Sequence, residues 1–536
     1  MFTKSGLKLK WAITALLALS LIWALFSYLG YLSWASWGAR SLDLKGAVGI
    51  ILKAAVSAGL ILLLASLNRR LSYRLLVSIL SATYLGVLVF THTTYGALSL
   101  GIYSSMMETS PYEALEMSLA GLFNPAVVLS VFTLLGLVWI FNQQCAGRTM
   151  SVLALGFSVV SSLILSLQAS GTKSVTTATG NVVAAEISGL EYLQREVTVL
   201  RPLYLHERYS AIRRLQNAEI EPAWSNVSYR GDAGKAYIVI VGESVGRDDL
   251  KIYNRALQRH DPLADDSTLS FVARAVAPAP ITRVALEHLF TVSNDDGTTN
   301  RNLNIFDLAR ASGLKTFWFS NQGVTGEHDT PITNLVARTD NQHFHNEFYQ
   351  QAGTDFELIN DLKQHLQTDA VFFMHMIGAH HEFCQRARVA PYKLAPNTAL
   401  PEELNCHAST VYNTEMFIRD TLTLLAQSGV DHEVVYFSDH GLVDVEDWPY
   451  KIHGIGQRFA ERALNVPLIF ISSSNQSRPL TQSAYFMRDF PHTFADWIGI
   501  AADQIDSSKS VFSITPQQER YVLNDSGIKI QLAQNE

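Results

Sequence analysis

Cysteine is nearly missing from this sequence: three in 536 residues, at 145, 384 and 406, allow one disulfide at most. No internal repeat or low-complexity tract is present, which excludes a solenoid or a tandem array. No basic groove interleaved with aromatics occurs either, so no nucleic-acid partner is expected. The net charge of −7 excludes little, because local patches of either sign can sit under any total.

Charge is scarce in the first 170 residues, and that region holds most of the excess in the 48% hydrophobic content. Five apolar stretches stand out there, at about 11–36, 47–66, 75–97, 125–142 and 151–168, each near the length that a bilayer core requires. The first is too long for a signal-peptide core and is followed by others, which predicts a retained anchor. Lys4, Lys8 and Lys10 precede the first stretch, Arg69, Arg70 and Arg74 follow the second, and Arg148 follows the fourth. The alternate loops have Arg40 and Lys45, then nothing basic from 98 to 124. This asymmetry predicts a cytoplasmic N-terminus and an exported chain after about 170. Cys145 then falls in a cytoplasmic loop and Cys384 and Cys406 outside; spacing leaves open whether those two pair.

Residues 186–217 mix apolar and charged residues at helical spacing and are expected to form a connecting helix, or two, on the membrane surface. The stretch 221–235 has the composition of a linker. Beyond it, short apolar runs alternate with amphipathic ones: candidate strands at Tyr237 to Val241, Thr316 to Phe319, Val371 to Met374, Val434 to Phe437 and Val466 to Ile471, with helices at Asn304 to Ala311 and Thr410 to Ala426. The alternation predicts an α/β domain with a mainly parallel sheet covered on both faces.

Four of those strands run into polar chemistry. They end in Gly242-Glu243-Ser244, in Ser320-Asn321-Gln322-Gly323, in His375 followed by His380 and His381, and in Ser438-Asp439-His440-Gly441. His453 lies a little further on. Singly, Glu243 reads as a helix cap, Asp439 as an Asx turn and His453 as a surface histidine. Together they crowd the carboxyl ends of one sheet, where ligands of open α/β folds gather. Two carboxylates and an imidazole make a mixed oxygen and nitrogen site suited to zinc or manganese better than to calcium. Thr282 supplies a nucleophile: Pro278 and Pro280 stiffen its approach and it opens a helical stretch, although an ordinary capping threonine has the same look.

In this order, Gly242-Glu243-Ser244, Thr282, the run Phe319 to Gly323 with Gly326 and Asp329, His375 to His380, Tyr412-Asn413 with Asp420, Ser438 to Gly441 and His453-Gly454 resemble the membrane phosphoethanolamine transferases of the alkaline phosphatase and sulfatase superfamily. The resemblance implies an α-helical transmembrane domain (1–170), connecting amphipathic helices and linker (171–232) and a periplasmic, sulfatase-like α/β catalytic domain (233–536), in a multi-pass protein of the bacterial inner membrane. It implies transfer of phosphoethanolamine from phosphatidylethanolamine to an envelope glycan or glycolipid through a phosphothreonine. Carried over, Glu243, Thr282, Asp439 and His440 hold a catalytic zinc ion, Thr282 is the nucleophile, and His380 and His453 serve the phosphoryl group, a second metal or the leaving oxygen. Thr109 and Glu113, in "MMETSPYEALE", together with Asn321 and His328, are the implied substrate contacts.

Departures from the family are Arg283 where a small residue usually follows the threonine, Leu442 where glutamate often stands, and no more than one exported disulfide. They bear on the acceptor, for which lipid A, core sugars, glucans and glycoproteins stay open, more than on the fold. A phosphoglycerol transferase of the lipoteichoic-acid-synthase type shares the architecture and is the alternative enzyme. A catalytically inactive scaffold is the non-enzymatic alternative, and the retained ligands argue against it. The Cys/Ser-x-Pro-x-Arg signature of sulfatases is missing around Thr282.

Overall fold

The computed structural model describes residues 71–94, 98–108, 172–176, 182–186, 200–216 and 218–532, less the short stretches 265–267, 323–330, 346–353, 446–447, 456–458, 475–478 and 514–518, and adds a few single positions before 200. The chain divides into two compact units, the second beginning at Arg213.

The first unit contains helices α1 (Leu71–Thr94) and α2 (Leu100–Glu108), the antiparallel strands β1 (Thr172–Thr176) and β2 (Val182–Glu186), and most of α3 (Arg201–Gln216). Helix α1 falls on the third expected span; the other four lie outside the described residues, apart from single positions. Among the described residues no helix is long and apolar enough to cross a membrane. Of the expected connecting segment, the described residues show the antiparallel pair β1 and β2 and one helix, α3; residues 187–196, 198 and 199 lie outside the described residues. Helices α2 and α3 meet where Tyr103 Oη lies 3.1 Å from His206 Nδ1 and its ring lies edge-on to Tyr209.

The second unit is built on a seven-stranded sheet. In chain order it comprises β3 (Ala236–Gly242), β4 (Leu269–Phe271), α4 (Thr282–Phe290), α5 (Ile305–Ala311), β5 (Lys315–Ser320), β6 (Asn341–Phe344), α6 (Glu357–His365) and β7 (Ala370–His375). After these come α7 (Phe383–Val389), α8 (Glu402–Ser428), β8 (His432–Ser438), the hairpin β9 (Val443–Val445) and β10 (Trp448–Ile452), β11 (Leu468–Ser472) and α9 (Phe490–Ile498). The spatial order is β6-β5-β7-β3-β8-β11-β4. The first five strands are parallel; β11 joins antiparallel to β8, and β4 joins antiparallel to β11.

The central strands are continuous apolar runs because both of their faces are covered. On one face Ile238, Ile240, Phe372, Met374, Val434 and Tyr436 pack with Leu358 and Leu362 of α6 and Phe417 of α8. The other face is aromatic: Phe373 and Trp318 meet Phe290 of α4, Phe306 of α5 and Phe494 of α9. The expected strand from Val466 to Ile471 is broken at Pro467, which has no N–H for a ladder. Asn465–Val466 pairs instead with Ala275–Val276, and β11 starts one residue after the proline. Cys384 and Cys406 are disulfide-bonded with Cα atoms 4.7 Å apart, tying α7 to α8.

Candidate active site

Register brings the strand ends level. Gly242 pairs with Ser438, Val241 with His375, and His375 with Ser320, so Glu243 and Asp439 leave neighbouring parallel strands side by side. The turn after each strand locks the other. Asp439 Oδ1 accepts the N–H of Ser244 at 3.1 Å and that of His440 at 2.7 Å. Ser438 Oγ accepts the Val245 N–H at 3.0 Å and donates to the His440 carbonyl. Ser244 is held at φ 61°, a left-handed conformation that costs a non-glycine residue about 1–2 kcal/mol. Its hydroxyl donates to Glu243 Oε1 at 2.6 Å.

Thr282 is the first residue of α4 and does not cap it; the cap is the extended Ile281, which makes no side-chain bond. The Thr282 hydroxyl is therefore available to the sheet edge, where Oγ1 donates to Glu243 Oε2 at 3.1 Å and lies 3.2 Å from His440 Nε2. His440 Nδ1 lies 2.9 Å from the Gly441 carbonyl, so that nitrogen carries the proton and Nε2 turns its lone pair to the site.

Glu243, Asp439 and His440 are fully buried, with candidate ligand atoms within 4.8 Å of one another. Among the described residues the only basic side chain within 4 Å of either carboxylate is His440, whose Nε2 is 3.5 Å from Glu243 Oε1 and 3.4 Å from Asp439 Oδ2 and, presenting a lone pair, supplies no positive charge. Burial, then the neighbouring Asp439 charge, raises the Glu243 carboxyl above its ordinary value. Burial pushes Asp439 up to about 6 and holds the His440 imidazole below its usual range. Asp439 Oδ2 accepts no hydrogen bond of regular geometry from a described residue. Two crowded buried carboxylates, an orphaned oxygen and a neutral imidazole lack one thing, a divalent positive charge. The donor set fits zinc: two oxygens, one nitrogen and the Thr282 oxygen complete four.

Beside this group stand the other histidines expected at the site. The His453 ring lies 4.9 Å from that of His440 and 6.3 Å from that of His380, and His381 is 5.6 Å from His453. Burial drives His380 down to about 4 and His453 well below its ordinary value, so both are neutral imidazoles. The loop carrying His380 is pressed against Glu243: the Ala379 N–H donates to the Glu243 carbonyl at 3.0 Å, and Gly378 takes φ 48° to permit the approach.

Asn321 is buried, and its amide donates to Asp355 Oδ1 at 2.9 Å. Thr109, Glu113 and His328 lie outside the described residues. Two contributors were not picked out from the sequence. Gln322 Nε2 donates to Glu243 Oε2 at 3.2 Å and to the Met376 carbonyl at 2.7 Å, joining the carboxylate to the histidine loop. Asp355, just before α6, accepts the N–H groups of Ile377 and Gly378 at 2.8 and 3.0 Å. Gln322 was visible inside its strand-end run; Asp355 had no local signal.

Residues 235–500 match the family model described as Sulfatase. The second unit is a sulfatase-family domain. Phosphoethanolamine transferase OpgE of Escherichia coli K12 is 25% identical over 503 residues, 90% of this chain and 90% of its own length. Phosphoethanolamine transferase EptC of the same organism is 22% identical over 333 residues, 56% of this chain and 57% of its own. Among solved structures, the integral membrane protein lipooligosaccharide phosphoethanolamine transferase A of Neisseria meningitidis covers 94% of this chain and 98% of its own, with a TM-score of 0.62 at 14% identity. That likeness is one of fold.

Proposed function

We propose that this protein is a metal-dependent phosphoethanolamine transferase, taking the group from phosphatidylethanolamine to a hydroxyl of an envelope glycan or glycolipid by way of Thr282. The observation that carries the reading is the Thr282 hydroxyl, not spent on capping, held between Glu243 Oε2 and His440 Nε2 at the mouth of a buried acidic cluster. Its relatives' names supply the group transferred, and OpgE does so over nine-tenths of the chain.

Glu243, Thr282, Asp439 and His440 would hold the metal, which when bound lowers the hydroxyl pKa and offsets phosphoryl charge. Thr282 Oγ attacks the phosphorus of the donor phosphodiester as the bond to the diacylglycerol oxygen breaks. Glu243, whose Oε2 accepts the Thr282 hydroxyl, is placed to take the threonine proton, which passes to the departing diacylglycerol oxygen. The acceptor hydroxyl then attacks the phosphothreonine, loses its proton and releases Thr282. Neutral His380 and His453 donate N–H groups toward the phosphoryl oxygens, a role neutral imidazole fills at neutral pH. The basic-loop asymmetry supports residence in the inner membrane with the sulfatase domain in the periplasm, and an integral membrane protein shares the fold.

Intact-mass measurement after incubation with phosphatidylethanolamine tests the chemistry. An adduct with the mass of phosphoethanolamine is expected on Thr282, absent in Thr282→Ala and discharged by acceptor. Normal transfer by Thr282→Ala removes the mechanism, and a phosphoglycerol adduct formed only from phosphatidylglycerol reassigns the donor.

A further inference from the structure

A second cluster of metal-ligating side chains lies at the edge of the sheet, apart from the site above. Strand β6 is the terminal strand, and its register with β5 puts His343 opposite Phe319. His343 and His345, two residues apart, turn to one face of the sheet. Helix α6 covers that face through Leu358 and Leu362 and brings Asp361 to the two rings. His343 Nδ1 lies 2.9 Å from Asp361 Oδ1, and His345 Nε2 lies 2.5 Å from Asp361 Oδ2. The ring centroids are 4.3 Å apart, and one nitrogen from each ring and a carboxylate oxygen fall within 4.8 Å of one another.

Burial decides how this cluster reads. The Asp361 side chain is 6% exposed, His345 20% and His343 52%. A carboxylate so deeply buried needs a positive partner, and among the described residues its ion-pair partners are these two imidazoles alone. His365 is not a third ligand: its Nδ1 meets the Asp361 carbonyl at 3.0 Å and its ring packs on Phe317 and Phe319. The opposite side is open, because His343, His345 and Asp361 line a surface cleft of about 760 Å³ with Glu357, Asn360 and Lys363. Two imidazoles and one carboxylate, with a face left for water, form a donor set for a borderline transition ion and a poor one for calcium or magnesium.

We infer that His343, His345 and Asp361 form a second divalent-metal site, for zinc or a similar transition ion, which fastens the edge strand β6 to α6. Binding replaces two nitrogen-to-oxygen hydrogen bonds with two nitrogen-to-metal bonds and one oxygen-to-metal bond, and releases any proton shared between the imidazoles and Asp361. The site does not depend on the proposed transfer reaction. It does bear on that site's frame, because the residue that clamps Ile377 and Gly378, Asp355, precedes the same helix.

The test counts metal on the full-length protein with the first site silenced. Glu243→Gln protein is dialysed to equilibrium against buffered zinc, and bound zinc is measured by elemental mass spectrometry beside the same protein with His343→Gln or with His345→Gln added. One equivalent of zinc is expected to be lost, or its affinity to fall by more than about 100-fold, since removing a ligand costs more than removing a supporting hydrogen bond. His343 is half exposed, so His343→Gln is expected to fold like its parent, which circular dichroism checks. Cobalt(II) should give visible ligand-field absorption in Glu243→Gln that His345→Gln abolishes. Zinc content and cobalt spectrum unchanged by both histidine substitutions would overturn the inference and leave a hydrogen-bonded clamp.

Discussion

Gly378 is the position at which the smallest chemical change reaches the site. A Cβ there meets the Glu243 carbonyl oxygen at 2.7 Å, the Glu243 nitrogen at 3.1 Å and the Glu243 Cβ at 3.3 Å. The first contact is about 0.7 Å short of ordinary van der Waals separation. The obstacle is mostly backbone, at a residue whose carboxylate belongs to the proposed metal set, so it cannot swing away as a side chain would. At φ 48° the alanine also pays roughly 1–2 kcal/mol for the left-handed conformation. Overpacking adds about 1–3 kcal/mol, which sets the cost of Gly378→Ala at about 2–5 kcal/mol. If the loop relaxes instead, it moves by several tenths of an ångström and carries His380 with it, and the Ala379 N–H to Glu243 bond stretches. A shift approaching 1 Å in a catalytic group costs about 100-fold in rate. The assay is transfer from labelled phosphatidylethanolamine, read beside thermal unfolding of the same preparation. A fall of 10-fold or more in kcat with a folded protein is expected. A Gly378→Ala enzyme within twofold of wild type in both rate and unfolding temperature refutes the claim that this backbone contact fixes the loop.

Asp439→Asn should remove the metal held beside Thr282 and nearly all turnover from a protein that still folds, because it removes one of two buried charges at that site, while the His343, His345 and Asp361 site keeps its own metal; wild-type metal content in that variant means the site is misplaced. Protonation gives a second handle. Because the metal-free folded state holds Asp439 at about 6, above its unfolded value, the folded form binds more protons between the two values and the metal-free protein gains stability as pH falls through about 6. Metal affinity runs the other way, since protons compete at Asp439 and Glu243, so the melting-temperature gap between zinc-loaded and chelated protein should close over that range; a pH-independent gap contradicts the assignment. Replacing both Cys384 and Cys406 by serine should cost about 3 kcal/mol in stability for a 22-residue separation, with metal content retained. A reporter fused after Gln143 should be cytoplasmic and one after Gly234 periplasmic; both on one side excludes five spans.

What was legible in the sequence was local, and what was not depends on contacts across it. The strands β3, β7 and β8 announce themselves because a strand buried on two faces has no polar side to interrupt its apolar run, and each stops at a polar residue when it leaves the core. Glu243, Asp439 and His440 were found that way, since register between parallel neighbours converts two separate strand ends into one place. Thr282 was found because it opens α4 behind two prolines; that its hydroxyl is not spent on capping needed the helix start, fixed at Ile281. The direction of β11 was not in its residues. Parallel return requires a crossover, and the described residues between β8 and β11 form the hairpin of β9 and β10 and no α-helix, so the next strand enters antiparallel. Asp355 and the trio His343, His345 and Asp361 were beyond reach for the same reason. Each acts on partners 16 to 34 residues away, and a polar edge strand such as Asn341–Phe344 has no periodicity that distinguishes a ligand face from solvent. Only the packing of α6 against the end of the sheet turns two ordinary surface histidines toward one buried carboxylate.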